Sequence, residues 1–260
     1  MIKYFSILLI FTCFLSCTSG SNNENVAAEQ EFYSYEKALI SLPNFEYKGI
    51  EYKIVKIGTQ VWFAENLNSS VFSNGDTIFQ AKSPIEWKNA LEMKTPAWCY
   101  QSYDKNKYGY LGKMYNWYAV VDKRGLFSPG GGWHIPSMTD WDKLIIFCGG
   151  NSEANKKLKS DTGWIWRKQF DYSGTNEFGF SALPSGTIDL YGTDFHLSSD
   201  GYVLGAKWWS RTLMEQGFPR DLLNNFIDVF EINMDPRNNP HSIANGISDG
   251  LFVRCVKDEL

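Results

Sequence analysis

The sequence predicts an α+β domain of few helices, short antiparallel strands and long loops. Three observations carry that prediction: an alternating apolar and polar run that opens at Tyr47, a well-capped amphipathic helix that starts near Ser137, and a second half in which glycines separate short apolar runs. The chain has 260 residues, 43% of them hydrophobic and 16% aromatic, which is enough apolar surface for a full core. Disorder and a miniprotein held by disulfides alone are thereby excluded. The formal net charge is -4, with no long run of one sign. A nucleic-acid reader would show a basic stripe, so no nucleic-acid partner is expected.

Residues 1–17 carry one positive charge, Lys3, then an apolar stretch of signal-peptide length, then Ser16 and Cys17 before a polar Thr-Ser-Gly-Ser run. That is the layout of a bacterial lipoprotein processing site. Cys17 is therefore expected to be lipidated and to tie the protein to a membrane. Residues 18–45 read as a tether with a short amphipathic stretch from Glu29 to Leu42, stopped by Pro43. The main domain is expected over residues 46–258. Within it, Tyr47 to Trp62 alternates as a β-hairpin that turns at Gly58-Thr59. Residues 68–98 read as loops with short elements, and Tyr115 to Val121 as a helix. Ser137-Met-Thr-Asp140 forms a capping box, Trp141, Leu144, Ile145 and Cys148 fall on one helical face, and Gly149-Gly150 ends that helix. The last element is a strand from Gly250 to Val256.

Catalytic signatures are sparse. There is no G-x-S-x-G elbow, no H-E-x-x-H, no P-loop and no dinucleotide fingerprint. His134, His196 and His241 lie far apart, and His134, within Gly-Trp-His-Ile-Pro, is expected to bond a nearby carbonyl and fix the loop that enters the helix. The acid pairs Asp189/Asp194 and Asp228/Glu231 are the spacing that chance alone supplies among 29 acids. Asp104-Lys-Asn106-Lys-Tyr-Gly109 copies the start of a calcium loop without its distal acid, and reads as a solvated turn. No metal and no cofactor is expected. Beyond the leader, and with Cys17 acylated, Cys99, Cys148 and Cys255 remain, an odd number that allows one bridge and one free thiol outside the cytoplasm.

Seven blocks then occur in a telling order: Ile57-Gly-Thr-Gln-Val-Trp-Phe-Ala-Glu-Asn-Leu67, Pro96-Ala-Trp-Cys-Tyr100, Tyr108-Gly-Tyr-Leu-Gly-Lys-Met-Tyr-Asn-Trp-Tyr-Ala-Val120, Gly132-Trp-His-Ile-Pro-Ser137, Asn176-Glu-Phe-Gly-Phe-Ser-Ala-Leu-Pro184, Trp208-Trp-Ser-Arg-Thr212 and Val253-Arg-Cys-Val256. Together they resemble the Fibrobacter succinogenes major paralogous domain, a family of surface and secreted bacterial modules. The resemblance implies a C-type-lectin-like fold, shared with formylglycine-generating enzymes. The lectin calcium signatures Glu-Pro-Asn and Trp-Asn-Asp are absent, so calcium-dependent sugar binding is not carried over. The family pattern, with Cys148 already placed on the helix, implies a disulfide between Cys99 and Cys255.

The resulting expectation is a lipid-anchored protein of the outer membrane or cell surface, from the Bacteroidetes or a relative. Its lectin-like domain would bind a glycan or protein ligand without catalysis. The expected binding loops span 186–207 and 213–248, where Tyr191, Phe195, Tyr202, Phe218, Asn238 and Asn239 mix rings with amides. The rival readings are a structural or pilus-tip subunit of a surface complex and, less favoured, an enzyme on the formylglycine-generating fold.

Overall fold

The computed structural model describes residues 42–166, 170–195, 205–213, 226–233 and 241–258. Two hairpins open the domain. The first joins β1 (Phe45–Tyr47) to β2 (Ile50–Tyr52), and the second joins β3 (Ile54–Ile57) to β4 (Gln60–Phe63) with its turn at Gly58-Thr59, as the alternation predicted. Gly58 sits at φ 62° with the Phe147 ring so close that a Cβ would lie 2.8 Å from it, so only glycine fits the turn.

The remaining elements follow in order: β5 (Phe79–Gln80), α1 (Pro84–Glu92), β6 (Ala97–Cys99), α2 (Lys105–Tyr108), β7 (Met114–Asn116), α3 (Trp117–Val120), α4 (Met138–Phe147), α5 (Asn151–Leu158), β8 (Ile165–Trp166), β9 (Phe170–Asp171), β10 (Thr187–Ile188), β11 (Asp194–Phe195), β12 (Gly205–Leu213), β13 (Phe226–Asn233), β14 (His241–Gly246), β15 (Gly250–Leu251) and β16 (Val256–Asp258). The fold is thus mixed α+β, with few helices and several small sheets. The largest sheet has six strands in the order β11-β10-β15-β7-β6-β5, antiparallel except for the β5-β6 pair. A three-stranded sheet, β12-β13-β14, stands beside it in the sequence, and β16 closes another by pairing with β4, so the end of the domain is hydrogen-bonded to its beginning.

The high aromatic content has a structural reason. Two clusters of buried side chains make up the core, and several segments run between them with alternate residues feeding each. Trp62, Trp208, Cys99 and Phe252 enter the first cluster; their chain neighbours Phe63, Trp209, Trp98 and Val253 enter the second. In the first, Trp141 stacks on Phe230 at 4.2 Å and lies 4.6 Å from Trp62. In the second, Phe63 packs on Tyr52 at 4.6 Å and on Trp133 at 5.0 Å. A strand buried on both faces has no solvent side to fill with polar residues, which is why adjacent large rings recur along the chain.

Helix α4 begins as predicted: Ser137 and Asp140 form a reciprocal capping box, and Trp141, Leu144 and Cys148 are buried on its inner face. Three expectations need correction. The stretch from Tyr115 to Val121 is not one helix: Met114 to Asn116 is a strand wedged between β6 and β15, and Asn116 then caps the single turn of α3 through its side chain to the Ala119 amide. Residues 68–98 contain the nine-residue helix α1, started by Ser83 with Pro84 at its first position. The strand expected from Gly250 to Val256 splits, because β15 pairs with β7 whereas β16 pairs with β4, and residues 252–255 cross from one sheet to the other.

The expected bridge between Cys99 and Cys255 is also corrected. Cys99, Cys148 and Cys255 are free and fully buried. The cause is the alternation described above, which delivers Cys99 to the first cluster and Cys255 to the second. Burial raises the pKa of all three thiols, that of Cys148 to about 12, so each behaves as a small apolar side chain.

His134 fixes the loop before α4 as expected. Its Nδ1 is 2.8 Å from the Gly132 carbonyl oxygen and its Nε2 is 3.1 Å from Asp140 Oδ2. Both partners only accept, so the arrangement is complete when the ring is protonated on both nitrogens. The hydrogen bond to Asp140 raises the His134 pKa despite partial burial. Burial acts to raise Asp140, but the hydrogen bonds from His134 and Ser137 outweigh it and hold the carboxyl well below its usual range. The raised histidine contributes stability that is complete below about pH 6.5 and is lost as pH rises through its folded value. The depressed carboxylate contributes above about pH 4 and loses that contribution as pH falls. Urea titrations at stepped pH should therefore show stability declining from pH 6 to pH 8, and His134→Gln should flatten that decline. An identical slope in the variant would contradict the assignment.

Candidate functional site

The crossing segment between β15 and β16 places a charge in the interior. By the same alternation that separates the cysteines, Arg254 turns into the first cluster, between the rings of Phe180 at 4.6 Å and Trp208 at 5.6 Å. It is 1% exposed. The backbone that carries it is clamped from two sides, since Phe63 and Leu67 donate amides to the Cys255 and Val253 carbonyls while Trp209 donates to Phe252.

Among the described residues no carboxylate forms an ion pair with Arg254. Neutral oxygens solvate it instead. Nη1 donates to the carbonyls of Phe180 at 2.7 Å and Phe63 at 3.2 Å, and Nε donates to Asn66 Oδ1 at 3.1 Å. Asn66 is itself held, its Oδ1 accepting from Trp208 Nε1 and its Nδ2 donating to the Leu111 carbonyl. The Phe180 carbonyl is presented by a tight loop in which Asn176 and Ser181 adopt φ 46° and 55° and hydrogen-bond to each other. Such left-handed backbone at ordinary residues is strained and persists only where its surroundings impose it. Burial lowers the guanidinium pKa to about 9, the charge of Glu65 opposing the shift only in part, and still leaves it charged at neutral pH.

Arg254 lines a cavity of about 330 Å³ whose walls come from β2, from residues 64–68 after β4, from residues 109–112 after α2, and from Ser181 and Leu183. Lys53 and Glu65 are exposed at its rim, and Tyr110 stands there with 71% of its surface open. Gly112 makes the wall fit: at φ 87° it lies so near residues 66 and 67 that a Cβ would meet Asn66 Cβ at 3.1 Å and two carbonyl oxygens at 3.2 Å. Lys113, beside it, donates to the Asn68 backbone oxygen and, at 2.9 Å, to Asn68 Oδ1, while its ammonium sits 4.5 Å from the Trp98 ring. Burial lowers its pKa to about 8. With Oδ1 turned to Lys113, the amide nitrogen of Asn68 has no partner among the described residues.

The residues expected to bind ligand are placed elsewhere or not described. Tyr191 is 64% exposed on the turn between β10 and β11, and is not part of the cavity wall. Phe195 lies in β11, with its side chain outside the described set. Tyr202, Phe218, Asn238 and Asn239 lie outside the described residues, as does Cys17. Three of the four paired acids have structural duties: Asp189 Oδ1 accepts from the amides of Tyr191 and Thr193, Asp194 bonds Ser102, and Glu231 pairs with Lys207 at 3.6 Å, while the side chain of Asp228 lies outside the described set. Asp104 caps α2. Trp208 and Trp209 are both fully buried. A sequence signal for Arg254 did exist, namely a full charge inside the otherwise apolar Leu-Phe-Val-Arg-Cys-Val run, but nothing in the sequence joined it to Asn66 or Asn68.

A family model described as the Fibrobacter succinogenes major domain matches residues 55–257. No curated protein and no solved structure matches the chain.

Replacing Arg254 by methionine removes a buried charge but leaves the Phe180 and Phe63 carbonyls short of a donor. Orphaned buried acceptors cost about 1–3 kcal/mol each, partly offset by the lost desolvation of the charge. Arg254→Met should lower unfolding free energy by about 2–4 kcal/mol in urea. Equal or greater stability would show that the guanidinium does not hold these segments together.

Proposed function

The chain belongs to the Fibrobacter succinogenes major domain family, and on that basis we propose that it is a lipid-anchored cell-surface protein whose C-type-lectin-like domain binds a ligand, a glycan in preference to a protein, without catalysis. Support for the fold comes from the pairing of β16 with β4, the return of the last strand to an early one that such folds use, and from the small antiparallel sheets joined by long loops. Support for the anchor comes from the Ser16-Cys17 site behind its apolar run.

The observation that carries the binding reading is the cavity beside Arg254. Its polar wall is held by hydrogen bonds made before any ligand arrives, the preorganisation that a binding site needs to avoid ordering costs. An exposed ring at the mouth, Tyr110, suits the apolar face of a sugar. Binding is favoured over catalysis because a guanidinium cannot serve as a general base, and the carboxylate at the wall, Glu65, is exposed to water at the rim.

The full chain should partition into detergent, and Cys17→Ala should either release it into the aqueous phase or stall its processing with a change in gel mobility. On a glycan array the aqueous form should bind a subset of sugars, and Tyr110→Ala should weaken that binding at least about tenfold without a change in melting temperature. Unchanged partitioning together with unchanged gel mobility of the Cys17→Ala chain would overturn the anchor, and array binding untouched by Tyr110→Ala would overturn the cavity as the site.

A further inference from the structure

The wall of the cavity is unequal in its hydrogen-bonding groups. A guanidinium has five N–H donors, and the three on Nε and Nη1 are spent on Asn66, Phe63 and Phe180, which leaves both N–H groups of Nη2. The Nδ2 amide of Asn68 has no partner among the described residues, because Lys113 takes the oxygen of that side chain. The Tyr52 hydroxyl accepts from the Asn68 backbone amide, so its own proton has no acceptor among the described residues. All three residues line the same cavity, and Tyr52 and Arg254 are each 1% exposed. Donors without acceptors, around a buried cation that no carboxylate contacts among the described residues, call for a negatively charged guest.

We propose that this cavity receives the carboxylate of an acidic sugar, a hexuronic acid unit of a glycan, with the carboxylate bound by Nη2 of Arg254 and the Nδ2 amide of Asn68. The inference rests on the cavity being the ligand site and adds the chemistry of the ligand. A single negative charge fits the local balance, since Arg254 and Lys53 are opposed by Glu65 at the rim, and a doubly charged phosphate would meet that carboxylate. A sugar fits better than the end of a peptide because the exposed Tyr110 ring borders the cavity, offering a face on which a sugar ring can stack. Once bound, the acid supplies the direct carboxylate contact that Arg254 lacks among the described residues.

The test is calorimetric titration of the Cys17→Ala full chain with trigalacturonate, with its methyl ester, with neutral trigalactose and with a tripeptide bearing a free carboxyl end. Trigalacturonate should bind at least about tenfold more tightly than its ester, the factor expected for losing one charge-assisted hydrogen bond. Asn68→Asp keeps the oxygen that Lys113 holds but sets a carboxylate in the wall, and should abolish the preference for the acid while the circular dichroism of the folded chain is retained. Equal binding of acid and ester would overturn the acidic-sugar assignment and leave the glycan-binding reading standing. Binding of the tripeptide with no binding of the saccharides would replace the sugar by a peptide carboxylate. Absence of binding to all four probes would overturn the inference, and the glycan array then decides separately whether the underlying reading survives.

Discussion

A buried guanidinium with no carboxylate in ion-pair contact among the described residues has to be solvated by the chain itself, and Arg254 imposes that requirement on four separate stretches of this protein. The end of β4 supplies the Phe63 carbonyl, the segment after it supplies Asn66, the strained loop at 176–181 supplies the Phe180 carbonyl, and β12 supplies the Trp208 ring. Each of those groups is in turn positioned by a neighbour, so displacing the arginine would release a chain of contacts rather than one. The same demand makes the cavity: the face of the guanidinium that the backbone does not satisfy is the face the pocket meets.

The placement of that charge follows from strands buried on both sides. Where a segment separates two cores, its side chains alternate between them, and an odd or even position decides which core a residue joins. This one rule sends Trp208 and Trp209 apart, keeps Cys99 from Cys255, and directs Arg254 to the aromatic cluster that holds Phe180. Trp141 then locks α4 onto the first cluster by stacking on Phe230, and truncation of a ring so placed typically costs about 3–5 kcal/mol. The His134 and Asp140 pair fastens the loop ahead of that helix, and the His134 backbone also pairs with Val256 beside the arginine segment.

Local signals were legible where the cause was local. The Ser137 to Asp140 capping box, the Gly58 turn and the His134 hydrogen bond all depend on residues a few positions apart, and each was readable from spacing. The strand at Met114 to Asn116 was not, because its conformation is set by β6 and β15, whose positions no nearby residue reveals. The cavity was hidden for the same reason: Tyr52, Asn68, Gly112 and Arg254 are distant in sequence and meet only through the return of the last strand to an early one. Aromatic residues among glycines mark the loops 186–207 and 213–248, whereas the polar residues that line the cavity stand inside apolar or short turn segments that composition does not flag.

The central claim is that Arg254 is a charged, rigidly solvated group with one end bonded to the chain and the other open to the cavity. Side-chain nitrogen NMR on the arginine-labelled full chain measures this directly, with the signal assigned by its loss in Arg254→Lys. The account predicts an Arg254 Nε–H that exchanges with water far more slowly than that of exposed Arg211, together with separate signals for Nη1 and Nη2. A rapidly exchanging Nε–H with a single averaged Nη signal, like that of Arg211, would contradict it.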